Sequence, residues 1–150
     1  MAEITCTRDI AAEPGAVWAV LADFGAISGW ASNVEHSCLM SEQAEGVGTV
    51  RRVQVGRSSL VERVVDWSPG VTLAYSIEGL PPVIRSVANT WSLRETTRGT
   101  RVSLTSRVNA GPRPPQQLIA GIVARRLAKA SETMLAGLDR HMAKTAGAGR

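Results

Sequence analysis

The sequence has 150 residues, 44% apolar and 20% charged, with 17 Lys and Arg against 13 Asp and Glu and a mean hydropathy of +0.00. Those proportions fit one compact core over residues 1–150, and they exclude both a disordered chain and an apolar run long enough to span a bilayer. The net charge of +4 is spread along the chain, with no aromatics interleaved among the basic residues, so no nucleic-acid partner is expected.

Ile4, Cys6 and Ile10 alternate with Thr5, Thr7 and Asp9, a period of two that predicts a first strand with Arg8 on its apolar side. The period then changes. Glu13-Pro14 followed by Val17, Trp18, Leu21 and Phe24 has the spacing of a short helix with proline in its first turn. Gly25 to Asn33 reads as a second short helix.

Six strands are predicted next, over 34–40, 48–56, 59–67, 72–78, 84–95 and 100–109, separated by turns rich in glycine and proline. With a turn at 96–99, Leu93 faces Val102, Trp91 faces Leu104, Asn89 faces Ser106 and Val87 faces Val108. The opposite side is polar, from Ser86, Thr90 and Arg94 to Arg101, Thr105 and Arg107, so one face of the sheet meets water. After Gly111-Pro112-Arg113-Pro114-Pro115, apolar residues recur every three or four positions from Ile119 through Ile122, Val123, Leu127, Ala130, Met134 and Leu138 to Met142. They predict a helix about 40 Å long that crosses the sheet and ends at the Gly147/Gly149 tail. Arg125, Arg126 and Lys129 form its solvated side.

This order of elements, together with VWAVLADFGAISGW, GVGTVRRVQV and LVERVVDWSPGVTLAYSIEG, resembles the START-like (SRPBCC) superfamily. Within it the chain is most similar to the polyketide cyclase/dehydrase and lipid-transport group, relatives of the birch-pollen allergen and the abscisic-acid receptors. The resemblance implies an α+β helix-grip fold. A seven-stranded antiparallel sheet would wrap around a long C-terminal helix, with two short helices after strand 1 and a cavity for an apolar small molecule between sheet and helix. Fold likeness names neither the ligand nor a reaction.

Several polar residues interrupt the inner face. In the hairpin around Gly56 to Ser59, Val55 is expected opposite Leu60 and Val53 opposite Glu62, which puts Arg51, Val53 and Val55 on one side with Glu62 and Val64. A buried carboxylate and guanidinium must pair or meet water. Glu62 also matches a pocket glutamate of the abscisic-acid receptors, and His36, in His36-Ser37-Cys38, stands where those receptors carry a lysine for the ligand carboxylate. Tyr75 alternates with Leu73 and Ile77, and Asn89 lies among Val87, Trp91 and Leu104, so both point inward in need of polar partners. The candidate ligand-binding set is therefore His36, Arg51, Val53, Glu62, Tyr75, Val87, Asn89 and Trp91, each with packing or surface ion pairing as its alternative. Gly56-Arg57-Ser58-Ser59 and Gly79-Leu80-Pro81-Pro82 lack the receptors' gate sequences, so the resemblance does not extend to ligand-gated recruitment of a phosphatase. The proline-rich loop is either a lid or a stiff connection.

Cys6 and Cys38 have no ligand-spaced partners, so no metal, cofactor or disulfide is expected. The start Met-Ala-Glu-Ile-Thr lacks a secretory signal, which predicts a cytoplasmic protein. Two functions remain open on the same cavity: carriage of a lipid, sterol or polyketide-like molecule, which needs a space above roughly 300 Å³, or cyclase, aromatase or dehydratase chemistry. A third, a partner-binding module using the basic helix face, needs only the surface. No GxSxG, P-loop, HExxH, CxxC or GxGxxG pattern directs the reading to other chemistry. The sequence leaves oligomeric state open.

Overall fold

The computed structural model describes residues 2–148. The chain runs β1 (Ala2–Ile10), α1 (Pro14–Ala22), a 3-10 helix (Phe24–Gly29), β2 (His36–Leu39), β3 (Val50–Val55), β4 (Ser58–Ser68), β5 (Thr72–Glu78), β6 (Ser86–Thr96), β7 (Gly99–Asn109) and α2 (Pro114–Ala148). The seven strands form one antiparallel sheet in the order β1-β7-β6-β5-β4-β3-β2, so the meander closes by bringing β1 beside β7. This is the predicted helix-grip architecture.

Turn chemistry sets the register of the hairpins. Gly56, at φ 58°, lets Gly56-Arg57 make a two-residue turn. Val55 therefore faces Ser58, Val53 faces Leu60 and Arg51 faces Glu62, two residues away from the expected pairing across a four-residue turn. A shift of two preserves side-chain parity, so the inward set is unchanged. The β6–β7 pairing has the expected register throughout, from Val87 opposite Val108 to Leu93 opposite Val102. On the outer face β1 and β7 are laced by Thr5–Thr105 (2.8 Å), Thr7–Ser103 (3.2 Å), Arg107–Glu3 (2.7 Å) and Arg101–Asp9 (2.8 Å).

The helical segments differ in detail from expectation. The second short helix is a 3-10 turn that stops at Gly29, and the strand after it begins at His36 rather than residue 34. Helix α2 starts at Pro114 and has 35 residues, about 52 Å at 1.5 Å per residue, because Pro114 suits a helix's first position and does not delay it. It ends just past Gly147, and Gly149 lies outside the described residues. Its buried stripe is centred on Ala120, Ala124, Ser131, Met134, Leu135, Leu138 and Met142; Ile122, expected in the stripe, is exposed. The helix packs mainly on β1 and β7, where Cys6 Sγ approaches the Ala128 carbonyl (3.6 Å) and Arg8 pairs with Asp139 (2.7 Å). Arg8 thus sits on the apolar side of β1 as expected, and its charge is met by the helix. No helix among the described residues is long and apolar enough to cross a membrane.

Candidate ligand cavity

The sheet brings one lateral row of inward residues into line: Tyr75 on β5 faces Asn89 on β6, which faces Ser106 on β7. All three are buried and hydrogen-bonded in sequence. Ser106 Oγ donates to Asn89 Oδ1 (2.7 Å), and Asn89 Nδ2 donates to the Tyr75 hydroxyl (3.4 Å). Trp91 Nε1 donates to the same hydroxyl (3.2 Å). Burial pushes the Tyr75 pKa up from its ordinary value and the Glu62 carboxylate adds to the rise, so the phenol keeps its proton through the neutral range.

One row nearer the β3–β4 turn, Arg51 and Glu62 face each other as an ion pair with side chains only 3% and 7% exposed (Nε to Oε1, 2.8 Å). Arg51 also donates to the Phe24 carbonyl (2.9 Å), and its guanidinium lies over the Phe24 ring (3.7 Å) and the Tyr75 ring (4.7 Å). The inner face carries its charge in matched form. A buried pair held by further hydrogen bonds and ring faces meets the conditions under which desolvation is offset.

Between these rows, α2 and the segment after α1, a cavity of about 90 Å³ remains. Val53, Val55, Leu60 and Ile77 wall it from the sheet, and Leu127, Ala130 and Met134 wall it from α2. Ile27, Asn33 and Val34 close the third side, while Glu62, Tyr75 and Asn89 supply its polar lining. The volume corrects the expected space above roughly 300 Å³: in this conformation aliphatic side chains from α2 and the β3–β4 hairpin fill much of the gap. Asn33 Oδ1 is buried without a hydrogen-bond partner among the described residues. Trp30 Nε1 is also unpartnered, its ring packed edge-on against Trp91 at 5.8 Å.

Of the residues singled out from sequence, Val53, Glu62, Tyr75 and Asn89 come together on this cavity. Arg51 sits behind Glu62, and Val87 and Trp91 are packed in the core, each 1% exposed. His36 is elsewhere. It lies exposed on the outer face of edge strand β2, opposite Gln54, and borders a surface hollow of about 210 Å³ with Cys38 and Arg52. The parity error has a local cause: Ser37 is the inward residue there, held by the Gly25 carbonyl (2.7 Å), so its neighbours turn out. Asn33, Leu127 and Met134 carried no sequence signal of their own, because a loop amide and two members of a long apolar stripe look ordinary until the fold juxtaposes them. Among the described residues no group of three or more His, Cys, Asp or Glu is placed to hold a metal ion.

A family profile described as polyketide cyclase/dehydrase and lipid transport matches residues 1–143. The chain superposes on the Zhui aromatase/cyclase from Streptomyces sp. R1128 with a TM-score of 0.76 at 18% identity, covering 93% of this chain and 92% of that one. It matches the protein XoxI from Bacillus cereus with a TM-score of 0.74 at 18% identity, covering 94% and 95%. Against the di-domain ARO/CYC StfQ of the steffimycin biosynthetic pathway the TM-score is 0.75 at 12% identity, over 97% of this chain and 51% of that one. No curated protein matches the sequence significantly.

Proposed function

The chain belongs to the polyketide cyclase/dehydrase and lipid transport family, and on that premise we propose that it binds a hydrophobic small molecule between the sheet and α2. One observation carries the reading. An aliphatic cavity contains polar atoms whose hydrogen-bonding capacity is unspent, foremost Asn33 Oδ1 and the proton of Tyr75. Left unsatisfied, each such group costs about 1–3 kcal/mol, which a ligand in the cavity would recover. The space of about 90 Å³ falls short of the roughly 300 Å³ that carriage needs, so this conformation does not hold a whole ligand and the reading requires the side chains around the cavity to open. Met134, unbranched and flexible, is the wall residue best suited to move.

Native mass spectrometry of the protein purified from its own host tests this. A co-purifying apolar mass, displaced by the neutral dye Nile red, supports carriage. Protein that carries no such mass and takes up no Nile red refutes the reading.

Glu62 and Tyr75 on one cavity favour a second reading, cyclase, aromatase or dehydratase chemistry on a polyketide-like substrate. Tyr75 would donate to a substrate carbonyl while the Glu62 carboxylate takes a proton from the neighbouring carbon. Turnover abolished by Tyr75→Phe and untouched by His36→Ala supports it; a ligand released unmodified supports carriage alone.

A further inference from the structure

We infer that the cavity selects a neutral oxygen group, a ketone or alcohol on an apolar skeleton, and rejects a carboxylate. The inference rests on the ligand-binding reading above and deepens it. Its first basis is charge. Arg51, the buried cation beside the site, is spent on Glu62 and on the Phe24 carbonyl, with its flat faces covered by two rings. Glu62 itself lines the cavity, so an entering carboxylate meets a like charge and finds no free cation. His36 faces away on the outer surface of β2 and takes no part in the cavity.

The second basis is hydrogen-bond direction. An indole N–H can only donate, so Trp91 occupies one lone pair of the Tyr75 oxygen. Asn89 gives its oxygen to Ser106 and therefore turns its NH₂ to Tyr75, which occupies the other. The phenolic proton is left over, and burial keeps it in place. Tyr75 is thereby committed to donating, and its complement is an acceptor oxygen. Asn33 Oδ1, buried and unpartnered, and the Glu62 carboxylate offer the reverse polarity across the same small space. A hydroxyl or a hydroxyketone satisfies both sides.

The test titrates the full chain with 2-nonanone and with nonanoate at about pH 8, where the acid is fully ionised, following tryptophan fluorescence and confirming by calorimetry. The ketone is expected to bind at least about tenfold tighter, and Tyr75→Phe to lose about tenfold of that affinity, the worth of one hydrogen bond. Glu62→Gln frees the charge of Arg51 and is expected to reverse the preference towards nonanoate; if that variant does not fold, the wild-type ratio still decides. Equal or tighter binding of nonanoate by the wild type overturns the inference and leaves the ligand-binding reading standing. Unchanged ketone affinity in Tyr75→Phe overturns the donor assignment, as the reversed Asn89 amide would require. Failure of ketone, acid and Nile red alike overturns the ligand-binding reading itself.

Discussion

Replacing Glu62 by leucine removes one half of an ion pair whose side chains are 3% and 7% exposed. Breaking a buried pair from one side typically costs about 3–5 kcal/mol, because the remaining charge is stranded. Here the stranded guanidinium keeps its bond to the Phe24 carbonyl and its two ring contacts, which places the expected loss near the lower end, about 3 kcal/mol. For a chain of this size that lowers Tm by about 6–12 °C. Removing both charges, as Arg51→Met with Glu62→Leu, strands no charge and leaves only the Phe24 carbonyl without its guanidinium donor, so the double variant is expected to lose about 1 kcal/mol, less than Glu62→Leu alone. The assay is urea denaturation followed by circular dichroism and tryptophan fluorescence on all four members of the cycle. A loss under about 1 kcal/mol in Glu62→Leu, or a double variant as unstable as the two single losses added, would refute the view that the pair is a coupled, desolvated unit.

Tyr75 is the only tyrosine, so absorbance near 295 nm titrates it alone. Its ionisation is expected above the ordinary value of about 10 and only together with unfolding. Stability is then full below that value and falls as pH rises past it, since the unfolded chain ionises first; a reversible titration at the ordinary value in folded protein would show the hydroxyl reaching water. Cys6, raised to about 11 chiefly by burial, with Glu132 adding, is expected to resist Ellman's reagent at neutral pH while exposed Cys38 reacts at once, giving one thiol per native chain and two after denaturation. Glycine to alanine should have opposite signs at two points of α2. At Gly121 nothing lies near the new Cβ and a gain of about 1 kcal/mol is expected. At Gly137 the Cβ collides with the Trp30 carbonyl, so the same change should lower Tm.

The strands are legible because β6 and β7 alternate cleanly and share a short turn, which fixes Asn89 opposite Ser106 from the residue pattern alone. Tyr75 opposite Asn89 was not legible. The connection from Gly79 to Arg85 has no turn type that dictates a register, so only the folded sheet aligns β5 with β6. Inwardness of Arg51 and Glu62 followed from parity, whereas their direct pairing depended on a turn two residues tighter than its sequence suggested. The orientation of His36 is illegible for the same kind of reason: on a four-residue edge strand following an irregular segment, parity has nothing to count from. Cavity volume was beyond sequence reasoning altogether, since it depends on how far α2 stands off the sheet and on the rotamers of Leu127 and Met134.

Helix α2 is fastened along β1 and β7, through Cys6 with Ala128 and Arg8 with Asp139, while the aliphatic sheet wall of the cavity comes from β3, β4 and β5. Anchorage and recognition thus reside in different strands of one sheet. Substitutions on β3 to β5 can retune what is accommodated without loosening the clasp, and changes along β1, or along β7 away from Ser106, can adjust rigidity without altering the lining. Such a division of labour lets the lining change while the fold is kept. For an engineer it marks the β3–β4 hairpin as the place to graft new specificity first.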